Sequence, residues 1–532
     1  MSVLIGHNRD TGKRVFLSDD SRIDHSLILG KTRTGKTTLF ENMIRQDIDS
    51  GNGVLVLDPH GSLYRSSLEY CHVNRRHIKR LYLIDPNEDD YRVGVNYFDL
   101  PGLDLSSRVR FVLNGIYKAF GQTPDDTKML LERWGKASLR AIEPLGLTLA
   151  ELYFFLINPE FREAVLSRVR DDLVQEEWRH FDNAPRKDQE FYSLAILDRA
   201  VRFAEDERTR QIFGQNNSID WLKVMDEGDI VLVNLLPSNC PDDLTKILGI
   251  SILHQVFANA KLREKNKPRI KHFYVYVDEF SQLMTEDYAK SLRELAGFGV
   301  HFLLSQQDIT DLKRADEHEA LFNSVLNNTD VKIVFRLGNY NEALEMAKHI
   351  FAHQITGDEI KDTYTQAVPH VYDGTISSFS ESSSEQSSLS EVITPRGVEH
   401  HVVHSGGSSR SYGTAYQDVQ KVEYTYQEIP IYRSLDESFH NYATNIMAQE
   451  VGEAYVLYNP KLPPLPIKTI KPKSYIANPK YVEKTKELVY SRMGLLKPGE
   501  VKRILESRFN QVLEMQEAEY EEYDGDDITD DP

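Results

Sequence analysis

Two segments of this chain carry residue types that chemistry needs at a fixed spacing. The first is Gly30-Lys31-Thr32-Arg33-Thr34-Gly35-Lys36-Thr37-Thr38, preceded by the apolar run Leu27-Ile28-Leu29. Glycines at positions 30 and 35 let the backbone curl, so that successive N–H groups turn inward around an anion. Gly30, Lys31, Thr32, Arg33, Thr34, Gly35, Lys36, Thr37 and Thr38 are therefore the candidate triphosphate-binding residues. Lys36 reaches the β- and γ-phosphates, and the Thr37 hydroxyl is placed for Mg2+. A helix starting near Lys36 aims its positive end at the same anion. The second segment is Asp278-Glu279, at the end of the apolar run Phe273–Val277. There Asp278 would hold the Mg2+ shell and Glu279 would polarise the attacking water. One strand later, His301-Phe302-Leu303-Leu304 runs into Ser305-Gln306-Gln307. A glutamine at that strand end can touch both the γ-phosphate and the water, although an ordinary strand-end amide has the same residue type. These parts together describe ATP hydrolysis assisted by Mg2+.

Such groups have to be positioned by strands and helices in alternation, and the sequence supplies them. Val3–Ile5 and Arg14–Leu17 read as a hairpin beside the first core strand. A helix over Lys36–Ser50 ends at Gly51-Asn52-Gly53. Val54–Leu57 and Leu81–Ile84 are continuous apolar runs, the pattern of buried parallel strands, closed by Asp58-Pro59 and Asp85-Pro86. Further strands are predicted at Asp229–Leu235, Phe273–Val277, Val300–Leu304 and Val331–Phe335, giving roughly seven or eight core strands in an α/β sheet. Between them, Ser106–Asp220 shows helical periodicity: Val109, Val112, Leu113, Ile116, Tyr117 and Phe120 form one apolar stripe. Helices are predicted near Lys128–Ile142, Thr148–Leu156, Glu160–Asp171 and Ser193–Glu205. The predicted division is 1–104 and 221–372 for the two parts of the core, and 105–220 for an all-helical insertion. A Ser/Gly-rich flexible segment follows at 373–412, then late strands with a basic arm at 413–490, then a helix with an acidic, disordered tail at 491–532.

Composition narrows the class. The chain has 532 residues, 40% of them hydrophobic, and a net charge of −19. Nucleic-acid binding therefore has to come from local patches. Cys71 and Cys240 are the two cysteines, which excludes a disulfide framework and fits a reducing cytosol. No apolar run approaches the ~18–20 residues that span a bilayer, and the first residues lack a signal pattern. The expectation is a cytoplasmic protein that meets a membrane only through a recruited partner. His400, His401 and His404 have no cysteine or carboxylate at ligand spacing. Asp58 either assists Mg2+ through a water or stabilises its own turn.

Several stretches, taken in order, resemble the HerA/FtsK superfamily of nucleic-acid-pumping ATPases, and more narrowly the TraG/TraD-type coupling proteins of type IV secretion and conjugation. They are Leu29–Thr38, Val56-Leu57-Asp58-Pro59-His60-Gly61, Phe213-Gly214-Gln215 with Met225–Leu235, Tyr276–Phe280, Ser305-Gln306-Gln307, and Asn323–Gly338 with Val334-Phe335-Arg336-Leu337-Gly338. The resemblance covers roughly residues 1–360. It implies a RecA-like P-loop core with a central, mostly parallel sheet. It also implies a ring, usually of six subunits, with ATP between subunits and DNA through the centre. By motif matching, Gln307 becomes the sensor and Asp278 and Glu279 the carboxylate pair. Relatives often carry a trans-acting arginine before the sensor strand; Leu295–Gly299 here holds none, which leaves Arg336 as the preferred substitute, with Arg293 and Arg33 behind it. Arg33 otherwise contacts the nucleotide, a neighbouring subunit or solvent. Relatives of this type also generally carry amino-terminal membrane helices, and this chain starts almost at the core.

Three basic clusters are candidate DNA tracks. They are Arg108, Arg110, Lys118, Lys128, Arg133, Lys136 and Arg140; Arg75, Arg76, Lys79 and Arg80; and the stretch Lys261–Lys271. Repeated around a ring, one such cluster makes a sequence-independent phosphate track. The leading expectation is an ATP-driven DNA translocase for conjugative transfer. The alternatives are a HerA-like motor partnered with a nuclease, and a nucleotide-dependent scaffold that does not pump. The acidic tail is a candidate contact for a basic protein partner.

Overall fold

Val54–Leu57, Ile230–Val233 and Phe273–Val277 show no polar alternation, and in the computed structural model all three strands are buried on both faces. The structure describes residues 2–121, 125–263, 270–307, 309, 316–352, 354, 360–380, 387–394, 397–404, 413–459, 461–475 and 477–524. Those residues divide into two units, one of 1–354 with 439–532 and one of 355–438.

The first unit is built on one eleven-stranded sheet. Its strands are β1 (Ser2–Asn8), β2 (Arg14–Ser18), β3 (Ser26–Leu29), β4 (Gly53–Asp58), β5 (Leu81–Ile84), β6 (Ile230–Asn234), β7 (Phe273–Val277), β8 (Val300–Gln306) and β9 (Val331–Phe335), with β14 (Glu453–Leu457) and β15 (Leu465–Thr469). They lie in the order β2-β1-β15-β14-β9-β3-β8-β7-β4-β6-β5. The run from β9 to β5 is parallel. This is the α/β, RecA-like arrangement expected from the sequence. The other four strands pair antiparallel. They correct the expectation for the amino-terminal hairpin: it is separated from β3 by β15, β14 and β9. Strands β10 to β13 fall in the second unit.

The pleat sends alternate residues to two cores. Leu55, Leu57, Val231, Val233, Val275 and Val277 face one; Val54, Val56, Ile230, Leu232, Tyr274 and Tyr276 face the other. Helices Lys36–Ser50 and Ser62–Val73 fill the second core. The first is filled by helix Asp242–Leu262 and by the helical insertion. That insertion runs through helices Leu105–Phe120, Asp125–Ile142, Leu149–Ile157, Pro159–Leu166, Asp172–Asn183, Arg186–Ala204 and Glu207–Phe213. Local chemistry sets its ends: Asp104 caps the first helix, and Thr148 with Glu151 forms a capping box. Helix Asp172–Asn183 was not expected from the sequence, because its apolar face is only Val174, Trp178 and Phe181.

The carboxyl end departs furthest from expectation. The supposed basic arm holds β15 and helix Pro479–Met493, whose Lys486 pairs with Glu88 at 2.8 Å. Helix Pro498–Asp524 then packs on the insertion, with Phe509 stacked on Phe161 at 4.9 Å. It carries the acidic sequence as helix up to Asp524; the remainder of the tail lies outside the described residues. In the second unit, β10 (Ile360–Ser380) and β13 (Gly413–Tyr432) form a long antiparallel ribbon, and β11 (Ser387–Thr394) pairs with β12 (Gly397–His404). Much of the Ser-rich stretch expected to be mobile is thus paired strand. Residues 405–412, part of the same expectation, lie outside the described residues.

Candidate functional site

Each residue singled out for chemistry follows or ends a parallel strand. Gly30–Thr38 follows β3, Asp58 ends β4, Asp278-Glu279 follows β7, Gln307 follows β8 and Arg336 follows β9. Parallel pairing brings these carboxyl ends together, where open α/β sheets leave their ligand crevice.

The loop is fastened from outside. The Gly30 N–H donates to the Gln306 carbonyl at 3.3 Å, and the Lys31 N–H donates to the Arg336 carbonyl at 2.9 Å. Thr34 is buried, and its hydroxyl donates to the Lys31 carbonyl at 2.7 Å. Gly30 has to be glycine, since a Cβ there would stand 2.5 Å from the Phe335 Cβ. Gly35, at φ +123°, opens helix Lys36–Ser50. Thr32, Arg33 and Thr37 are exposed at the mouth, with Thr38 half-buried behind them.

The Lys36 ammonium is buried. It donates to the Gly30 carbonyl and, at 3.4 Å, to the Lys31 carbonyl. Burial pulls its pKa down, and the nearby carboxylates of Glu279 and Asp278 push it back up. The glycine loop and the acidic pair, about 240 positions apart in sequence, therefore share one electrostatic site.

Asp278 is 4% exposed and accepts a hydrogen bond from the Ser305 hydroxyl. Glu279 takes φ +48°, a left-handed conformation that strains a side chain by on the order of 1 kcal/mol. Its Oε1 is buried without a hydrogen-bond partner among the described residues. Burial raises its pKa and Asp278 raises it further, against Lys36 and hydrogen bonding from Gln307. A buried carboxylate oxygen with no donor has room for one more group, such as water. Gln307 accepts from the Thr32 hydroxyl, so the sensor position touches the loop. With two buried carboxylates, a hydroxyl at Thr37 and a buried ammonium, the residues present fit a triphosphate with Mg2+.

Asp58 serves its turn: it accepts from the N–H groups of His60 and Tyr64, both at 2.9 Å. Arg336 is half-buried after β9, and its backbone carbonyl accepts from the Lys31 N–H of the loop. Arg293 is exposed in helix Leu292–Ala296, at the start of β8. The seven residues of β8 separate it by roughly 20 Å from the carboxyl ends of the strands. Two contributors escaped the sequence reading. Ser305 looks like any strand serine, and Gly452, whose N–H donates to the Thr34 carbonyl at 2.7 Å, is far away in sequence.

A cavity of about 1400 Å3 lies between these strand ends and the insertion. Lys31, Thr32, Glu279 and Gln307 line one side; Arg110, Lys118, Lys128 and Lys136 line the other. The first basic cluster is therefore split. Arg108, Arg133 and Arg140 lie away from the cavity and form ion pairs with Glu143 at 2.7 Å, Glu177 at 3.3 Å and Asp171, and the cavity-facing Lys136 pairs with Glu132 at 2.5 Å. In the second cluster, Arg76 pairs with Asp49 at 2.7 Å and Arg80 donates to the Asn52 carbonyl at 2.8 Å. In the third, Arg263 is buried against Asp226 at 2.9 Å, and 264–269 lie outside the described residues. No helix among the described residues is long and apolar enough to cross a membrane.

Residues 272–400 match the family described as the TraM recognition site of TraD and TraG. No curated protein sequence matches the chain. Among solved structures, the bacterial conjugative coupling protein TrwBdeltaN70, unbound, aligns with a TM-score of 0.55 at 12% identity, over 87% of this chain and 89% of that one. Plasmid coupling protein TrwB in complex with the ATP analogue ADPNP aligns with a TM-score of 0.53 at 13% identity, over 90% and 97%. The same protein in complex with ADP and Mg2+ gives 0.51 at 12%, again over 90% and 97%. The family match and the shared P-loop fold bear out the resemblance to TraG/TraD-type coupling proteins.

Proposed function

We propose that this chain is an ATPase that binds and moves DNA for conjugative transfer, working as a ring of six copies, the number the resemblance implies. The observation that carries this reading is the buried Lys36 ammonium beside the Asp278–Glu279 pair, with one Glu279 oxygen left free to take a water. TrwB, whose fold this chain shares, is described in complex with ADP and Mg2+ and with an ATP analogue. Here Gly30–Thr38 would cradle the phosphates, while Thr37 and Asp278 would hold Mg2+. The ion supplies charge neutralisation across the phosphates.

Lys36 exchanges its loop carbonyl for a phosphate oxygen and stabilises charge that grows in the transition state. Glu279 orients and polarises the attacking water, its strained backbone fixing the carboxylate in place. Gln307 passes the presence of the γ-phosphate to Thr32 and so to the loop. Arg336 is the arginine that acts on a neighbouring subunit's nucleotide, with Arg293 and Arg33 behind it. The DNA track is the basic set facing the cavity, Arg110, Lys118, Lys128 and Lys136, and the acidic tail is the contact for a basic partner.

The test is ATP hydrolysis by purified protein with and without DNA. Turnover should rise several-fold with DNA and vanish in Lys36→Ala and Glu279→Gln. DNA affinity should fall steeply with salt and vary little with sequence. Slow turnover indifferent to DNA would refute the motor and leave a nucleotide-dependent scaffold.

A further inference from the structure

The order of strands gives the bound nucleotide a direction. Its γ end is marked by Glu279 after β7 and Gln307 after β8, which lie on one side of β3. The ribose and base therefore leave toward the other side, where β9 and then β14 follow. Strands sit about 4.8 Å apart, so β14 begins roughly 10 Å from β3, within the reach of a nucleoside.

What waits there is the turn that leads into β14. It abuts the loop: the Gly452 N–H donates to the Thr34 carbonyl at 2.7 Å, and a Cβ on Gly35 would stand 3.2 Å from the Gly452 Cα. The turn is also fastened at every side. Gln449 donates to the Val334 carbonyl at 3.2 Å, the Thr469 N–H to the Gly452 carbonyl at 2.8 Å, and Glu453 pairs with Arg9 at 3.0 Å. Two side chains of the turn face outward: Val451 is 59% exposed, and the Glu450 side chain is 79% exposed, in an ion pair with Lys468 at 3.6 Å. A rigid turn beside a triphosphate loop thus presents one bare apolar side chain and one carboxylate outward.

We propose that Val451 and Glu450 form the nucleoside subsite, Val451 packing on the face of the base and Glu450 accepting hydrogen bonds from the ribose hydroxyls. This rests on reading Gly30–Thr38 as the triphosphate loop. An apolar platform accepts any base, so the subsite takes nucleoside triphosphates as a class, and the ribose diol is what it selects.

The experiment is calorimetric titration of the full chain with Mg·ATP, Mg·ADP and Mg·tripolyphosphate. Val451→Asp should weaken ATP and ADP about tenfold, through a lost apolar contact and an added negative charge, and leave tripolyphosphate unchanged. Glu450→Ala should erase the preference for ATP over 2′,3′-dideoxy-ATP. Unchanged ATP affinity in Val451→Asp overturns the subsite. So does an equal loss for tripolyphosphate, which would make the turn a buttress of the loop. Wild-type protein that binds neither ligand refutes the triphosphate reading itself, a result distinct from either.

Discussion

Ser305→Ala isolates one hydrogen bond in the acidic half of the proposed site. Ser305 is fully buried and its hydroxyl donates to Asp278 Oδ1. Alanine keeps the shape of the strand, so the change removes the donor and little else. A hydrogen bond to a charged group contributes about 1.5–3 kcal/mol, and each 1.4 kcal/mol is a factor of ten. Without that donor the Asp278 carboxylate is held less firmly. The Mg2+ concentration for half-maximal ATPase should therefore rise about 10–100-fold, the range found when groups behind metal ligands are removed. Thermal stability without Mg2+ should drop modestly, because a buried carboxylate oxygen loses its partner. Saturating Mg2+ should restore most of the turnover. The measurement is ATP hydrolysis against Mg2+, paired with thermal melts. An unchanged Mg2+ requirement in a folded variant would show that Asp278 does not serve the metal.

Three other outcomes are expected. Glu279 acts ionised and its pKa is raised by burial and by Asp278, so turnover should fade on the acid side at a pH above that of an ordinary glutamate; a pH–rate profile with no acid limb above the usual carboxylate range would contradict this. Burial pushes His25 down to about 4, and His254 and His301 to about 3. Being lowered, these groups stay neutral in the fold while the unfolded chain takes up protons near pH 6.5, so stability is full above that value and falls as pH drops toward 4. With three sites the slope approaches about 4 kcal/mol per pH unit, and urea melts between pH 7 and 5 that show a flat stability would refute it. Mixed with Glu279→Gln subunits, Arg336→Ala subunits should regain part of the turnover; a mixture that regains none would count against Arg336 as the trans-acting arginine.

The candidate catalytic parts were legible because each is local. A glycine loop, an acidic pair after an apolar run and a glutamine after the next strand all state themselves within ten residues. The run of parallel strands was legible for the same reason, as continuous apolar segments between helices. What joins those parts was not. Nothing near Val3 shows that β1 pairs with Lys468 and Ile467, and nothing near Gly452 shows that it closes on Thr34. The basic cluster of the insertion looked uniform because ion pairs such as Arg133–Glu177 form between different helices. The Ser-rich stretch read as unstructured because a ribbon holds itself by backbone hydrogen bonds, which leave no apolar signature in sequence.

The contact between Gly452 and the loop at Thr34 also orders events at the ribosome. The loop emerges early, but the turn that backs it emerges only after some four hundred further residues, roughly twenty seconds to over a minute later at 5–20 residues per second. The acidic pair and the strands on either side of β3 emerge before it, so the turn is the last of these parts to reach the loop. A half-made chain therefore carries the motif before the turn that backs it exists.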